Sequence, residues 1–499
     1  MVIIIVTIQQ AFSVTKNKLF NLIYKNQYVV GREIHMSLKT LSNLDDLDYY
    51  GKKVLVRVDF NVTIGKDNEI GEDYRIRMTI PTIEYLKKRG AKLILMSHLG
   101  RPKNIEEKEY IEEDKIQRYS ISDIDIDIRK QFSLAPVAKR LSELIQVYNV
   151  SFIEDCIGSL VHKEIAKMER GDILLLENLR FYKGEELNDY NFSKELASLA
   201  DIYVNDAFSV SHRKHASIYG ATRLFDKKIA GLNLKKELEY LSMVKDCPVQ
   251  PFVLVIGGSK IKDKIGALGN LLPKVDKLLI GGAMAYTFLK ANGVKTGNSP
   301  IDYDHFQWVK KALSTYNDKI YLPIDHIVTS QSFLDRKTEE SQIKDKEKRN
   351  EGNDNSKLDL LSSIAPLPSS LSSHSSPVSL NKGAIPDGLL GMDIGIETVQ
   401  QYSSIISENR NGMIVWIGPM GVFEIGLFRN GTNNIAKSMA LAFWRGSKTI
   451  IGGGDTLSAL KKAEVSELEV THVSTGGGAT LKYLAGGEMP GIEALNTIK

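Results

Sequence analysis

The sequence of 499 residues is short of cysteine, of long apolar runs and of net charge, and each shortage excludes something. Two cysteines, Cys156 and Cys247, are too few for a disulfide framework; they point to a reducing compartment and read as small buried hydrophobes. No apolar run approaches the roughly 18 residues that a bilayer-spanning helix requires. The terminal candidate, 2–6, is a fragment of that length. The formal charge is only +4, and residues 1–32 carry all of it through Lys16, Lys18, Lys25 and Arg32, with no acid. The remaining chain is neutral overall, which argues against nucleic acid as a partner, since phosphate-backbone binding needs an extended basic excess. No internal repeat of solenoid period is visible.

What is present is a regular alternation. From residue 52 onward, apolar runs of strand length alternate with stretches of helical period, the pattern of parallel sheets flanked by helices. Strands are expected at 54–58, 93–96, 173–176 and 202–204 in the first half, with helices over 80–88 and 134–145. The second half repeats the rhythm with strands at 252–256, 277–280, 320–322, 413–416 and 449–451, and helices over 264–272, 284–291 and 456–462. The expected fold class is therefore α/β, with two doubly wound parallel-sheet (Rossmann-like) domains joined by a helix at 234–244. Two segments break the rhythm: 104–131, crowded with Glu, Asp and Ile, and 331–382, which passes from charge-rich into Ser/Pro-rich sequence. Both read as surface insertions too polar to bury a core.

Loops that follow the strands of an open parallel sheet collect ligands. In the first half these loops carry Asp59 and Asn61, Arg75, His98 and Arg101, Arg180, and Arg213. Singly, each arginine reads as a surface or ion-pair residue; at successive strand ends, four of them suit a small polyanion, because a guanidinium fork matches carboxylate and phosphate oxygens. The second half supplies glycines at the matching places: Gly257-Gly258-Ser259-Lys260, Gly281-Gly282, and Gly452-Gly453-Gly454-Asp455-Thr456. Glycine lets backbone N–H groups approach phosphate oxygens, so this half is expected to bind a nucleotide. These loops form neither GxGxxG nor GxxxxGK[ST], which weakens a dinucleotide-dependent oxidoreductase reading. Asp455 sits where a carboxylate can ligate Mg²⁺, and Lys260 and Lys264 can meet spreading phosphoryl charge.

These residues resemble phosphoglycerate kinases. The likeness runs through VLVRVDFN (54–61), ILMSHLGRP (94–102), SLAPVAKRLSEL (133–144), LLLENLRF (174–181), YVNDAF (203–208), GGAMAYTFLK (281–290), GPMGVFE (418–424), IGGGDT (451–456) and HVSTGGGA (472–479). It implies reversible transfer of the acyl phosphate of 1,3-bisphosphoglycerate to MgADP, giving 3-phosphoglycerate and ATP, by a bilobal, monomeric enzyme that closes about a hinge. By the resemblance, Asp59, Asn61, Arg75, His98, Arg101, Arg180 and Arg213 bind the phosphoglycerate, and Arg75 also reaches the transferring group. Lys260 acts on that group, Lys264 on the nucleotide phosphates, Glu424 on the ribose, and Gly453, Gly454, Asp455 and Thr456 around phosphates and Mg²⁺, with Asp455 the metal ligand.

The expected organisation is an extension at 1–35, a substrate domain at 36–222, a hinge at 223–250, a nucleotide domain at 251–485 and a tail at 486–499 returning to the first domain. The compartment expected is the cytoplasm, or an organelle if residues 1–35 act as a transit segment. Thr63, Ser259, Ala283, Leu389 and Ile417 depart from the usual family pattern; Ile417 stands where asparagine is usual, near the nucleotide. A nucleotide-binding scaffold without turnover would be expected to lack a catalytic Lys, Arg or Asp, and none is lacking.

Overall fold

Strands rich in Val, Leu and Ile, buried along most of their length, need cover on both faces, and a parallel sheet with flanking helices supplies it. The computed structural model describes residues 44–65, 69–102, 125–145, 150–335 and 378–496. In its first lobe, β1 (Lys53–Arg57), β2 (Lys92–Met96), β3 (Val150–Ile153), β4 (Ile173–Leu176), β5 (Ile202–Asn205) and β6 (Lys228–Ala230) form one parallel sheet, ordered β3, β4, β2, β1, β5, β6. Chain order reverses about β1, and the ends of β1, β2, β4 and β5 open on one crevice, the place where such sheets bind ligands.

The second lobe continues with β7 (Phe252–Ile256), β8 (Lys277–Ile280) and β9 (Ile320–Tyr321), then β10 (Asp325–Ser330), β11 (Val378–Lys382) and β12 (Leu389–Ile394), and ends with β13 (Met413–Ile417), β14 (Lys448–Gly452) and β15 (His472–Ser474). Its main sheet is parallel in the order β15, β14, β13, β7, β8, β9. Strands β11, β10 and β12 form a separate antiparallel sheet that the sequence pattern did not suggest. Each lobe has its own core. Val54, Leu93, Leu95, Leu141 and Leu175 sit in the first; Val255, Trp416, Ile435 and Ile451 sit in the second.

The second insertion ends earlier than expected. Residues 378–382 form β11 with Val378 buried, because the alternation in VSLNK offers one apolar edge to β10. The end of the first insertion is likewise ordered: Asp125 accepts from the backbone of Asp127 and Ile128 and caps the helix Ile126–Phe132. The extension at 1–35 and most of both insertions lie outside the described residues. Among the described residues no helix is long and apolar enough to cross a membrane.

The helix Leu232–Asp246 joins the lobes and is longer at both ends than its sequence period. Its start is fixed by Asp206, at the end of β5, whose Oδ1 accepts from the backbone N–H groups of Asn233 (2.9 Å) and Leu234 (3.1 Å). Midway, its buried Glu237 reaches into the second lobe, receiving the Thr475 N–H (2.7 Å) and lying 3.0 Å from His472 Nε2. The chain then crosses back: the helix Pro490–Asn496 returns to the first lobe, where Gly491 N–H donates to Ser211 O (2.9 Å) and Gly491 O accepts from the Asn205 side chain (3.1 Å). On the opposite flank of the seam, Tyr74 is buried within the second lobe's core, and its hydroxyl donates to Val473 O at 3.4 Å.

Candidate active site

The arginine-rich face of the first lobe is assembled from the ends of β1, β2, β4 and β5. After β1, the buried Asp59 carboxylate holds the turn, with Asn61 N–H on Oδ1 (3.1 Å) and the Arg75 guanidinium on Oδ2. Arg75 belongs to the first turn of the helix Tyr74–Lys88. The loop after β2 is pinned by Asn61, which accepts from Gly100 N–H (2.8 Å). Asn178, the cap after β4, accepts from Leu99 N–H (3.1 Å) and donates to Leu99 O (2.8 Å). Asn178 also accepts from Arg180 N–H (3.0 Å), so one buried amide fixes both the His98 loop and the Arg180 loop. Arg180 donates to Gly100 O, and its Nε lies 3.2 Å from Glu186 Oε1 as an ion pair without hydrogen-bond alignment.

His98 is held in one protonation state. Burial, reinforced by Arg57, Arg180, Arg75 and Arg213, keeps its imidazole well below the usual histidine range, hence neutral at pH 7. Fully buried Arg57 donates from Nη2 to His98 Nδ1 at 3.1 Å and from Nε to Ser217 Oγ at 2.9 Å. A guanidinium has no acceptor, so Nδ1 must accept and the imidazole proton resides on Nε2. The neighbouring histidines follow suit: burial and Arg213 pull His212 down to about 4, and burial with Arg213, Arg180 and Arg57 pulls His215 down to about 3. The concentrated positive charge of this face is thus all guanidinium.

These groups enclose a pocket of about 330 Å³ lined by Asn61, Arg75, His98, Arg101, Arg180 and Arg213, with Ser209 and His212 beside them. Gly476, Gly477 and Gly478 of the second lobe close its far side. Of the substrate-side residues expected from sequence, all but Asp59 line the pocket; Asp59 lies behind Arg75, two per cent exposed. Ser209, His212 and Gly476 to Gly478 carry no expected role from sequence. The three glycines follow β15 just as the other glycine runs follow their strands, and that is the signal that marks them.

In the second lobe, β7 leads to Gly257 and Gly258, held across to the loop after β13 by Gly257 N–H on Ile417 O (2.9 Å) and Gly258 N–H on Pro419 O (2.7 Å). Gly258 has φ +94°, a conformation that side chains resist, and the Lys264 Nζ lies against it. Lys264 is buried, with Nζ 3.4 Å from Lys260 O; burial lowers its pKa, while Asp263 and Asp455 act to raise it. Lys260, Asp455 and Glu424 are exposed. Gly453, at φ +100°, caps the helix Gly454–Lys462, which carries Asp455 in its first turn. The buried Thr456 hydroxyl donates to Gly452 O (2.8 Å) and accepts from Gly418 N–H (2.8 Å), so it ties two glycine loops together. Ile417 is buried in β13 and packs over Gly452, filling its position with an apolar contact. None of Lys260, Lys264, Glu424, Gly453, Gly454, Asp455 or Thr456 lines the arginine pocket.

Residues 44–363 and 366–487 match the phosphoglycerate kinase family model. Curated relatives include the phosphoglycerate kinases of a Picosynechococcus species, 40% identical over 92% of this chain and 100% of the relative, and of Chlorobium phaeobacteroides, 41% identical over the same shares. Among solved structures, phosphoglycerate kinase from Coxiella burnetii superposes with a TM-score of 0.66 at 32% identity, covering 91% of this chain and 98% of that one. The Pyrococcus horikoshii enzyme gives 0.68 at 27% identity, with the same coverage. With a parallel-sheet lobe on either side of an arginine pocket and this family match along nearly its whole length, the chain belongs to the phosphoglycerate kinase family.

Proposed function

We propose that this chain transfers the acyl phosphate of 1,3-bisphosphoglycerate to MgADP, and the reverse, with the triose substrate in the arginine pocket and the nucleotide on the glycine loops of the second lobe. The observation that carries the reading is the pocket itself: Arg75, Arg101, Arg180 and Arg213 around a neutral His98, facing Gly476 to Gly478. A three-carbon acid phosphate presents a phosphate and a carboxyl group, and guanidinium hydrogen bonds to such anions contribute about 1.5–3 kcal/mol each. His98 adds an Nε2–H donor without adding charge.

Phosphoryl transfer asks the protein for alignment and for cations around the migrating group, with little covalent chemistry. Arg75 is the first-lobe cation for that group, and Lys260 the second-lobe one; exposed on its loop, Lys260 is free to follow the charge. Lys264, buried against Gly258 with Asp263 and Asp455 nearby, suits the nucleotide phosphates, as do the backbone N–H groups around Gly453 and Gly454. Glu424, exposed on the loop after β13, takes the ribose in this reading. Thr456 contributes by fixing that loop to β14.

For Mg²⁺, an exposed carboxylate beside a phosphate loop is the fitting donor, since this ion is usually held by one or two carboxylates together with substrate oxygens. Asp455 meets that description. Bound there, the ion would neutralise charge shared by the nucleotide phosphates. We further infer a monomer that works in the cytoplasm, with a substrate domain at 36–222, a hinge at 223–250, a nucleotide domain at 251–485 and a C-terminal return. A coupled assay supplied with MgADP and 1,3-bisphosphoglycerate should report ATP; its absence from folded protein would refute the assignment.

A further inference from the structure

Asp59 Oδ2 has two donors. One is the Arg75 guanidinium; the other is the Ser209 hydroxyl, at 2.6 Å. Ser209 lies on the short 3-10 turn Phe208–Val210 after β5 and lines the pocket, whereas the carboxylate behind it is sealed from solvent. The arrangement sets a physical difficulty for an Arg75 that serves an incoming anion. Arg75 must turn to an incoming anion, yet leaving a buried carboxylate without its cation costs far more than the pair is worth intact.

We propose that Ser209 is a positioning residue that keeps the Asp59 carboxylate satisfied while Arg75 leaves it for the transferring phosphoryl group; this rests on the role assigned to Arg75 in the proposed function. With Arg75 withdrawn, Asp59 keeps Asn61 N–H on Oδ1 and Ser209 Oγ–H on Oδ2, one donor on each oxygen. The turn bearing Ser209 also sits at the seam between the lobes: the Phe208 ring meets Tyr483 of the second lobe at 6.0 Å, and Phe208 packs against Gly476. Displacement of the Gly476 segment therefore acts on the residue next to Ser209.

The test is steady-state kinetics of Ser209→Ala, Ser209→Thr and Arg75→Ala, with thermal melts of each. Ser209→Ala should lower kcat by roughly tenfold, the value of one hydrogen bond to a charged group, with KM for 3-phosphoglycerate changed less than twofold or so. Ser209→Thr, which keeps the hydroxyl, should recover most of that loss. In an Asp59→Asn background, Ser209→Ala should cost nothing further, because the effect runs through the carboxylate. Wild-type kcat in Ser209→Ala, or Ser209→Thr as slow as Ser209→Ala despite an unchanged melt, would overturn the role of the hydroxyl. Wild-type kcat in Arg75→Ala would instead remove the site reading, and this inference with it.

Discussion

In the first lobe Arg75 and Arg180 are anchored by Asp59 and by the backbone of Gly100, whereas in the second lobe Lys260, Glu424 and Asp455 stand exposed beside loops shaped by glycine, and Lys264 is buried against one of them. Arg180 is braced by Gly100 O and its backbone by Asn178, and Arg75 by Asp59; Lys260 and Asp455 are exposed. On the proposed assignment, the difference follows from what each lobe would hold. A small, rigid triose acid is best met by a fixed constellation of forks, while a phosphate chain with its metal is met mainly by backbone N–H groups and mobile point charges.

The comparison predicts separable consequences for rate and for stability. The largest effect is expected on turnover, where Arg75→Ala and Lys260→Ala should each lower kcat by about a hundredfold or more while circular dichroism stays native, since both cations are proposed to act on the transferring group. Near-normal turnover in either would break the assignment. Next, Asp59→Ala should destabilise the fold by about 3 kcal/mol, because it strips a buried partner from Arg75, Ser209 and the Asn61 turn. Asp455→Ala, exposed in its first helical turn, should leave the melting temperature within a degree or two. Equal losses in both would erase the contrast between the lobes.

A smaller effect concerns pH. His98, His212 and His215 all have folded-state pKa values depressed by burial and nearby arginines, so the unfolded chain binds more protons than the folded one below about pH 6.5. Their contribution to stability is complete above that pH and is lost as pH falls through 4 and toward 3. Denaturant melts of His215→Gln should show a shallower decline between pH 6.5 and 4 than the parent; identical slopes would exclude His215 from the linkage. The smallest effect is at the rim of the seam, where Arg77 pairs with Glu467 at 2.6 Å and Lys461 with Glu72. Both pairs are partly exposed, so Glu467→Gln should cost about 0.5 kcal/mol and less at high salt.

The strands that sequence marks best are the ones buried on both faces. FVLVI of β7 and ILLL of β4 are continuous apolar runs, and both are found at their expected limits. β3 (VSFI), half-buried on one flank of the sheet, and β15, three residues long, carry too little pattern to stand out. The antiparallel sheet was hidden for another reason: β10 and β11 pair across a long polar segment, and register between distant strands is a tertiary property. Motif spacing made Arg75, His98, Arg101, Arg180 and Arg213 legible as a pocket, because each follows a strand end. The pairing of Asp59 with Ser209 was not legible, for the two are separated by 150 residues and meet only when β1 and β5 lie side by side.

Gly491 fits where a side chain would strike Ile218 and Ser211, and its carbonyl completes the amide of Asn205. The first lobe is therefore completed by a turn that comes after the whole of the second in the chain. Its sheet is built from its own strands, but the loop carrying Ser209, Ser211 and Arg213 gains this support only once the chain beyond β15 is in place. Removal of the chain from Gly491 onward would loosen that loop, and with it the arginine pocket, from across the seam.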